Sequence, residues 1–286
     1  MFYKIYKKNQ KKFMYNIKLV DNHFSHAEYS TDNQKSKYII WDRSIINDKD
    51  KLVVYTDTLL SCVKSDIKTK IGWMLESPAI TENYHNWISK NYKNFDLVLT
   101  NNRKHIEINS DIFKFSPTGG CWILPEEQKI YDKKRLVSGI FSDKRYTSGQ
   151  ALRHQIVNLY KNKIDTYGRG YLPIPNKIYG LKDYAFSLVI ENTKQDYYFT
   201  EKLIDCFMTG TIPIYWGCPS IGDFFDTNGM ICFNDIHDMD YILNTLNFDM
   251  YITKLDSIKN NFETAKKYLI AEDYMFENYL KNMIVE

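Results

Sequence analysis

The sequence predicts an α/β chain of two units, each built on a mostly parallel sheet. Short apolar runs alternate with helix-period segments through most of its length. A polar, turn-rich stretch interrupts that alternation near the middle, and the pattern then restarts. One run, 185–190, is apolar without a break, as a strand covered on both faces requires.

In the first unit, residues 38–41, 52–55, 71–75 and 96–99 are predicted strands. Residues 82–92 form a helix with Tyr84, Trp87 and Ile88 on one face, and 101–108 a shorter one. Ser116-Pro117-Thr118-Gly119-Gly120 is a turn cluster, and the polar residues beyond it place a linker at about 124–134. The second unit starts with a strand at 136–141. A helix follows at 148–161, with Leu152, Ile156, Leu159 and Tyr160 on its buried face. Strands at 163–167, 185–190 and 211–216 come next, with a helix at 200–209 before the last. Pro213 lacks a ladder N–H and argues against a central place for that last strand, although Gly210 and Gly217 delimit it cleanly. From Asp238 onward the chain reads as helical. The division is therefore 1–130, 131–250 and a helical segment, 251–286, that would pack back on the first unit.

A chain of 286 residues can bury roughly three quarters of its unfolded surface, so it needs neither disulfides nor a structural metal for stability. Cys62, Cys121, Cys206, Cys218 and Cys232 are odd in number and widely spaced, which reads as free buried thiols in a reducing compartment. A net charge of +3 implies no polyanion partner. No run approaches the ~20 apolar residues of a membrane span, and the start is basic and aromatic rather than apolar, so the expected location is cytoplasmic. That basic start, with Lys7, Lys8, Lys11 and Lys12, is a solvated tail or a contact for an anionic membrane surface. Without a recognised motif it is not a nucleic-acid site. Asp238-Met239-Asp240 has metal-site spacing but stands at a helix start far from other candidates. His23 and His26 have no evident carboxylate-rich partner segment.

The informative segment is 186–225. Its buried strand ends at Glu191-Asn192, so both side chains are expected at the C-terminal sheet edge, where open α/β sheets bind ligands. Thr200 is a good N-cap, which puts Glu201 and Lys202 in the first helical turn. Two readings fit this turn. It is an ordinary amphipathic helix showing Glu and Lys to water, or it holds a diphosphate near Lys202 and sugar hydroxyls near Glu201.

Glu191-Asn192, Tyr198, Thr200-Glu201-Lys202, the Gly210–Tyr215 stretch and Gly217-Cys218-Pro219-Ser220 together resemble the donor-site signature of the α1,3/4-fucosyltransferases, glycosyltransferase family ten. Arg153, on the helix after the first strand of the second unit, resembles the family's phosphate-binding Arg. Glu76 in Glu76-Ser77-Pro78 resembles its general base. The alternatives are a surface helix residue for Arg153 and a turn-capping carboxylate for Glu76. The resemblance covers roughly 70–286, and residues 1–69 match nothing. Residues 189–193, Val-Ile-Glu-Asn-Thr, depart mildly from the family's commoner form. The chain resembles soluble bacterial or viral members rather than the membrane-anchored animal ones.

The resemblance implies a GT-B architecture of two facing Rossmann-like domains, a GDP-fucose donor, a glycan acceptor and an inverting displacement without metal or other cofactor. It implies Glu76 as the base and Glu201 holding the sugar. Arg153 and Lys202 would face the diphosphate, with Asn192 and Tyr198 orienting the donor. Another GDP-linked or deoxysugar donor, or a non-catalytic glycan- or nucleotide-binding relative, would carry much of the same pattern.

Overall fold

The computed structural model describes residues 14–31 and 34–284; the basic lysines at 7–12 lie outside that range. The first half of the chain builds a six-stranded sheet from β1 (Tyr15–Val20), β2 (Ile39–Asp42), β3 (Leu52–Thr56), β4 (Thr69–Trp73), β5 (Leu97–Thr100) and β6 (Phe113–Phe115). Their spatial order is β2-β1-β3-β4-β5-β6, and every pairing is parallel. The strand order reverses between β1 and β3, which creates a crevice beyond their C-terminal ends. β1 and β6 were not foreseen. In β1 the apolar pattern is broken by Lys18, which is buried and pairs with Asp42 at 2.7 Å. β6 is only three residues long. Pro78 opens α1 (Pro78–Asn91), its missing N–H being one that no helix start uses. The shorter α2 (Arg103–Ile108) is capped by the Asn102 side chain.

The second half gives β7 (Arg135–Ile140), β8 (Asp165–Tyr167), β9 (Tyr184–Ile190), β10 (Ile212–Trp216) and β11 (Ile231–Cys232), in the order β11-β10-β9-β7-β8 and again all parallel. Its reversal lies between β7 and β9. β9 is buried at all seven positions, in keeping with its unbroken apolar run. Pro213 is tolerated inside the sheet because β11 pairs only with Ile214 and Tyr215, beyond it. α3 (Ser148–Tyr160) starts at a capping box formed by Thr147 and Gln150. Leu159, expected on its buried face, is 67% exposed; the face that packs carries Arg153, Ile156 and Val157. α4 (Glu201–Phe207) buries Leu203, Ile204, Asp205, Cys206 and Phe207.

Helices α5 (Asp238–Thr245), α6 (Phe248–Thr253) and α7 (Leu255–Ala265) add Met239, Ile242, Tyr251 and Ile258 to the core of the second sheet. The chain then crosses back. α8 (Ala271–Met275) and the π-helical turn after it, Phe276–Leu280, put Ala271, Met275, Phe276 and Leu280 into the core of the first sheet. There Phe276 stacks on Tyr38 with 4.5 Å between centroids. Glu272 accepts hydrogen bonds from the Ser30 backbone, the Ser30 hydroxyl and Trp41 Nε1.

The cysteines are all free, but Cys62 and Cys232 are exposed rather than buried. Among the described residues no helix is long and apolar enough to cross a membrane. No cluster of three or more His, Cys, Asp or Glu is arranged for a metal among them either. Asp238 instead accepts the backbone N–H groups of Asn234 and Asp235.

Candidate functional site

The C-terminal edges of the two sheets meet. From the second lobe, β9 delivers Glu191 and Asn192. For Glu191 the expected display toward a ligand is corrected by the structure. Glu191 is fully buried, and its carboxylate accepts hydrogen bonds from the Thr200 backbone at 2.9 Å and the Thr200 hydroxyl at 2.8 Å. An acceptor-only group that ends a strand needs donors, and the helix cap nine positions on is where the fold finds them. Glu191 thus anchors the start of α4 instead of touching solvent. Lys202 Nζ lies 3.5 Å from the same carboxylate, 3.4 Å from Glu201 and 2.9 Å from the Thr200 hydroxyl.

Glu201 sits between two cations, Lys202 and Lys177, each at 3.4 Å. Burial opposes its ionisation, but the two ammonium charges outweigh that and hold the carboxyl well below the usual carboxylate range. Lys177 also meets Asp205 at 2.8 Å and lies 4.4 Å above the Trp122 ring. Its own pKa is pulled down by burial and raised more by Asp205 and Glu201, so it stays charged. Nothing in the sequence flagged Lys177 or Asp205. Lys177 lies in a 3-10 turn, and its partner Asp205 reads as one more position on the buried side of α4.

Arg153 is buried at 3% exposure, and its Nε and Nη2 donate to the Ile190 carbonyl at 3.0 and 2.6 Å. Nη2 also reaches Asn192 Oδ1 at 3.0 Å. Arg153 and Asn192 are therefore brought together at the strand end, with Nη1 left without a partner among the described residues. α3 packs this close because Gly149 has no side chain; a Cβ there would stand 1.8 Å from the Glu191 carbonyl.

From the first lobe, Glu76 follows β4 with its side chain 24% exposed, and His85 contacts its backbone carbonyl at 3.0 Å. Asn101 follows β5, donates to the Leu75 carbonyl and to Thr118, and takes a hydrogen bond on its own carbonyl from Gln195 of the second lobe at 3.0 Å. The turn after β6 brings Gly119 against the first turn of α4. Its φ of +73° is one that L side chains rarely adopt, and the Glu201 carboxylate lies 3.6 Å from where its Cβ would be.

Tyr198 joins the two edges. It is buried, with Ser77 beside its hydroxyl, and its pKa is raised well above the phenol range by burial and then by the charges of Glu191, Glu76 and Glu201. Tyr197, held at a left-handed φ of 67°, places its ring 5.5 Å from the Arg103 guanidinium across the junction. Beside it opens a cleft of about 470 Å³ lined by Pro78, Asn102 and Arg103 on one side and Thr193, Gln195 and Pro219 on the other. Four of the six expected residues, Glu76, Tyr198, Glu201 and Lys202, lie at this junction. Arg153 and Asn192 lie just behind it.

Comparisons with known proteins supply the family and the fold. The family model described as Glycosyltransferase family 10 (fucosyltransferase) C-term matches residues 130–279. An alpha-(1,3)-fucosyltransferase, FucT, of Helicobacter pylori is 33% identical over 110 residues, 37% of this chain and 22% of that protein. A putative fucosyltransferase-like protein of Arabidopsis thaliana is 40% identical over 65 residues, 22% of this chain and 13% of that protein. The chain thus aligns with less than a quarter of the length of either curated relative. Among solved structures, an alpha1,3-fucosyltransferase with GDP superposes with a TM-score of 0.55 at 17% identity, covering 92% of each chain. Anabaena HepE with UDP and glucose does so at 0.60 and 11%, covering 82% of this chain and 79% of that one. Such distant likenesses speak for the shared two-sheet GT-B fold.

Proposed function

The chain belongs to glycosyltransferase family 10, and from that premise we propose that it moves fucose from GDP-fucose to a hydroxyl of a glycan acceptor, in an α1,3-type inverting displacement that needs no metal or other cofactor. In this reading residues 131–250 bind the donor and residues 1–130 the acceptor, in a cytoplasmic enzyme. What supports it most is the meeting of the two sheet edges, where Glu76 follows β4, Gly119 of the same lobe lies against Glu201 at the start of α4, and Lys202 stands 3.4 Å from Glu201.

Glu76 takes the proton of the acceptor hydroxyl. The freed oxygen attacks the anomeric carbon on the face opposite the diphosphate, and the bond to the diphosphate breaks with its electron pair leaving on GDP. Lys202 and Arg153 offset the charge growing on that leaving group, the work a metal does elsewhere. Glu201, kept ionised by its two lysines, faces the sugar where positive charge develops. Asn192 and Tyr198 orient the donor, and Lys177 keeps Glu201 in place.

Calorimetry with GDP and UDP, each with and without chelator, tests the donor half. GDP is expected to bind more tightly, with no effect of chelator. Donor hydrolysis tests the chemistry: GDP-fucose should be turned over slowly without acceptor. Turnover of a different nucleotide sugar alone would move the donor assignment to that sugar. No turnover of any donor would make the chain a binding relative.

A further inference from the structure

The crevice of the first sheet, where the strand order reverses, sets beside Glu76 two side chains, His23 and Asp57, that the proposed reaction leaves idle. His23 lies just past the end of β1, Asp57 just past β3, and Glu76 just past β4. The His23 ring stands between two carboxylates, with Nδ1 3.6 Å from Asp57 Oδ2 and Nε2 3.8 Å from Glu76 Oε1. These residues are far apart in sequence and meet only because β1, β3 and β4 are successive neighbours in the sheet.

We propose that His23 is the proton outlet of Glu76, a positioning residue that orients the Glu76 carboxylate and relieves it of the acceptor proton, with Asp57 holding the imidazole from behind. The inference rests on the reading of Glu76 as the base.

Each group is held for such a role. Asp21 fixes the His23 turn by accepting the backbone N–H groups of His23 and Phe24 and the Thr56 hydroxyl. Asp57 is fully buried, and its Oδ1 accepts the Leu75 N–H at 3.0 Å. Its Oδ2, on the His23 side, has no hydrogen-bond partner among the described residues. Buried carboxylate oxygens in a purely structural setting are normally satisfied. The Asp57 backbone adds a left-handed φ of 26°, a strained conformation of the kind that gathers at functional sites. Both imidazole distances lie a few tenths of an ångström beyond hydrogen-bond range, and such contacts commonly tighten when substrate binds.

The ring faces carboxylates on both sides. Arg43, from the segment after β2, lies 3.7 Å from Asp21 and offsets it. That leaves Asp57 and Glu76 facing the imidazole, with the uncharged Tyr198 beyond Glu76. Burial, aided by the Glu76 and Asp21 charges, pushes the Asp57 carboxyl up to about 7, so a cation beside it is welcome near neutral pH.

The proton path balances. The acceptor O–H bond breaks to Glu76 as the new glycosidic bond forms and GDP leaves. The proton passes from Glu76 to His23 Nε2, while Nδ1–H donates to Asp57 Oδ2. His23, 34% exposed, then releases the proton to water. This requires the resting imidazole to carry its proton on Nδ1, the less common tautomer of free histidine.

Two measurements on the full chain test this. The ¹⁵N spectrum of the histidine ring above neutral pH reports the tautomer without any donor. Nδ1–H is expected for His23 in the wild type and its loss in Asp57→Asn; Nε2–H in both overturns the proposal. In donor hydrolysis, His23→Gln is expected to lower kcat by about 10–100-fold, with GDP affinity and donor KM unchanged. In an E76Q background the same change should cost nothing further. A rate within twofold of wild type, or an equal loss in both backgrounds, overturns it. Should the wild type turn over no GDP-fucose, the donor reading fails, and the tautomer measurement still decides this one.

Discussion

The two sheet edges that face each other differ in how their charges are settled. At the start of α4 in the second lobe the charges are closely matched: Glu201 sits between Lys177 and Lys202, Asp205 meets Lys177, and Glu191 is capped by Thr200. On the first lobe, among the described residues, Asp57 keeps an unpaired oxygen and the Glu76 carboxylate has the loose approach of His23. A site that must present fixed charge to a leaving diphosphate benefits from side chains already locked in place. A site that must accept a proton and pass it on requires groups whose charge can change, and closing every pair would prevent that. The contrast therefore matches the two tasks in the proposed reaction.

Opposite signs in stability would sharpen the contrast most. Lys177→Met strands Asp205 without its cation in a buried position, and should cost about 3–5 kcal/mol in urea unfolding at pH 7. The double variant with Asp205→Asn should recover much of that loss. Asp57→Asn should do the reverse. The folded pKa of Asp57 is raised from 3.8 to about 7, so the unfolded chain releases that proton first as pH rises. The wild type then loses stability from about pH 4 to 7, and the asparagine variant escapes that loss. It should be more stable at pH 8 by up to about 4 kcal/mol, with the gap closing toward pH 4. Equal unfolding midpoints at both pH values would break the comparison on the first-lobe side.

In catalysis, Glu201→Ala should lower donor hydrolysis by about 10²–10³-fold, as removal of one fixed charge-stabilising group commonly does. A near-normal rate would mean that the paired edge is structural. The smallest effect is expected at the seam. Gly119→Ala meets Glu201 only at ordinary contact distance, so its cost is backbone strain of about 1 kcal/mol with a few-fold change in turnover. A thermal melt and a rate assay check both.

The second lobe was legible in the sequence because its signals are local. The apolar run of β9, the Thr200 cap and the Gly-flanked β10 each announce themselves within ten residues. The inward turn of Glu191 was not legible, since a strand-end carboxylate looks the same whether it meets a ligand or a helix cap. Lys18 hid β1, because a buried lysine reads as a surface residue until Asp42 is known to lie on the neighbouring strand. His23 stood out only as a histidine without an evident carboxylate partner, and Asp57 carried no signal; the carboxylates beside that ring are Asp57 and Glu76. Only parallel pairing across β1, β3 and β4 makes them neighbours, and no short-range pattern encodes that. Lys177 was missed for the same reason, its partners being 24 and 28 positions away.

The crossing back of α8 has a consequence for synthesis. Ser30 finds its partner Glu272 at a separation of 242 residues. A ribosome has therefore read through the whole second lobe before the first can close the inner face that Trp41 and Ser30 line. Until then that face, with the aromatic ring of Tyr38 that later stacks on Phe276, stands open to chaperones and to neighbouring nascent chains.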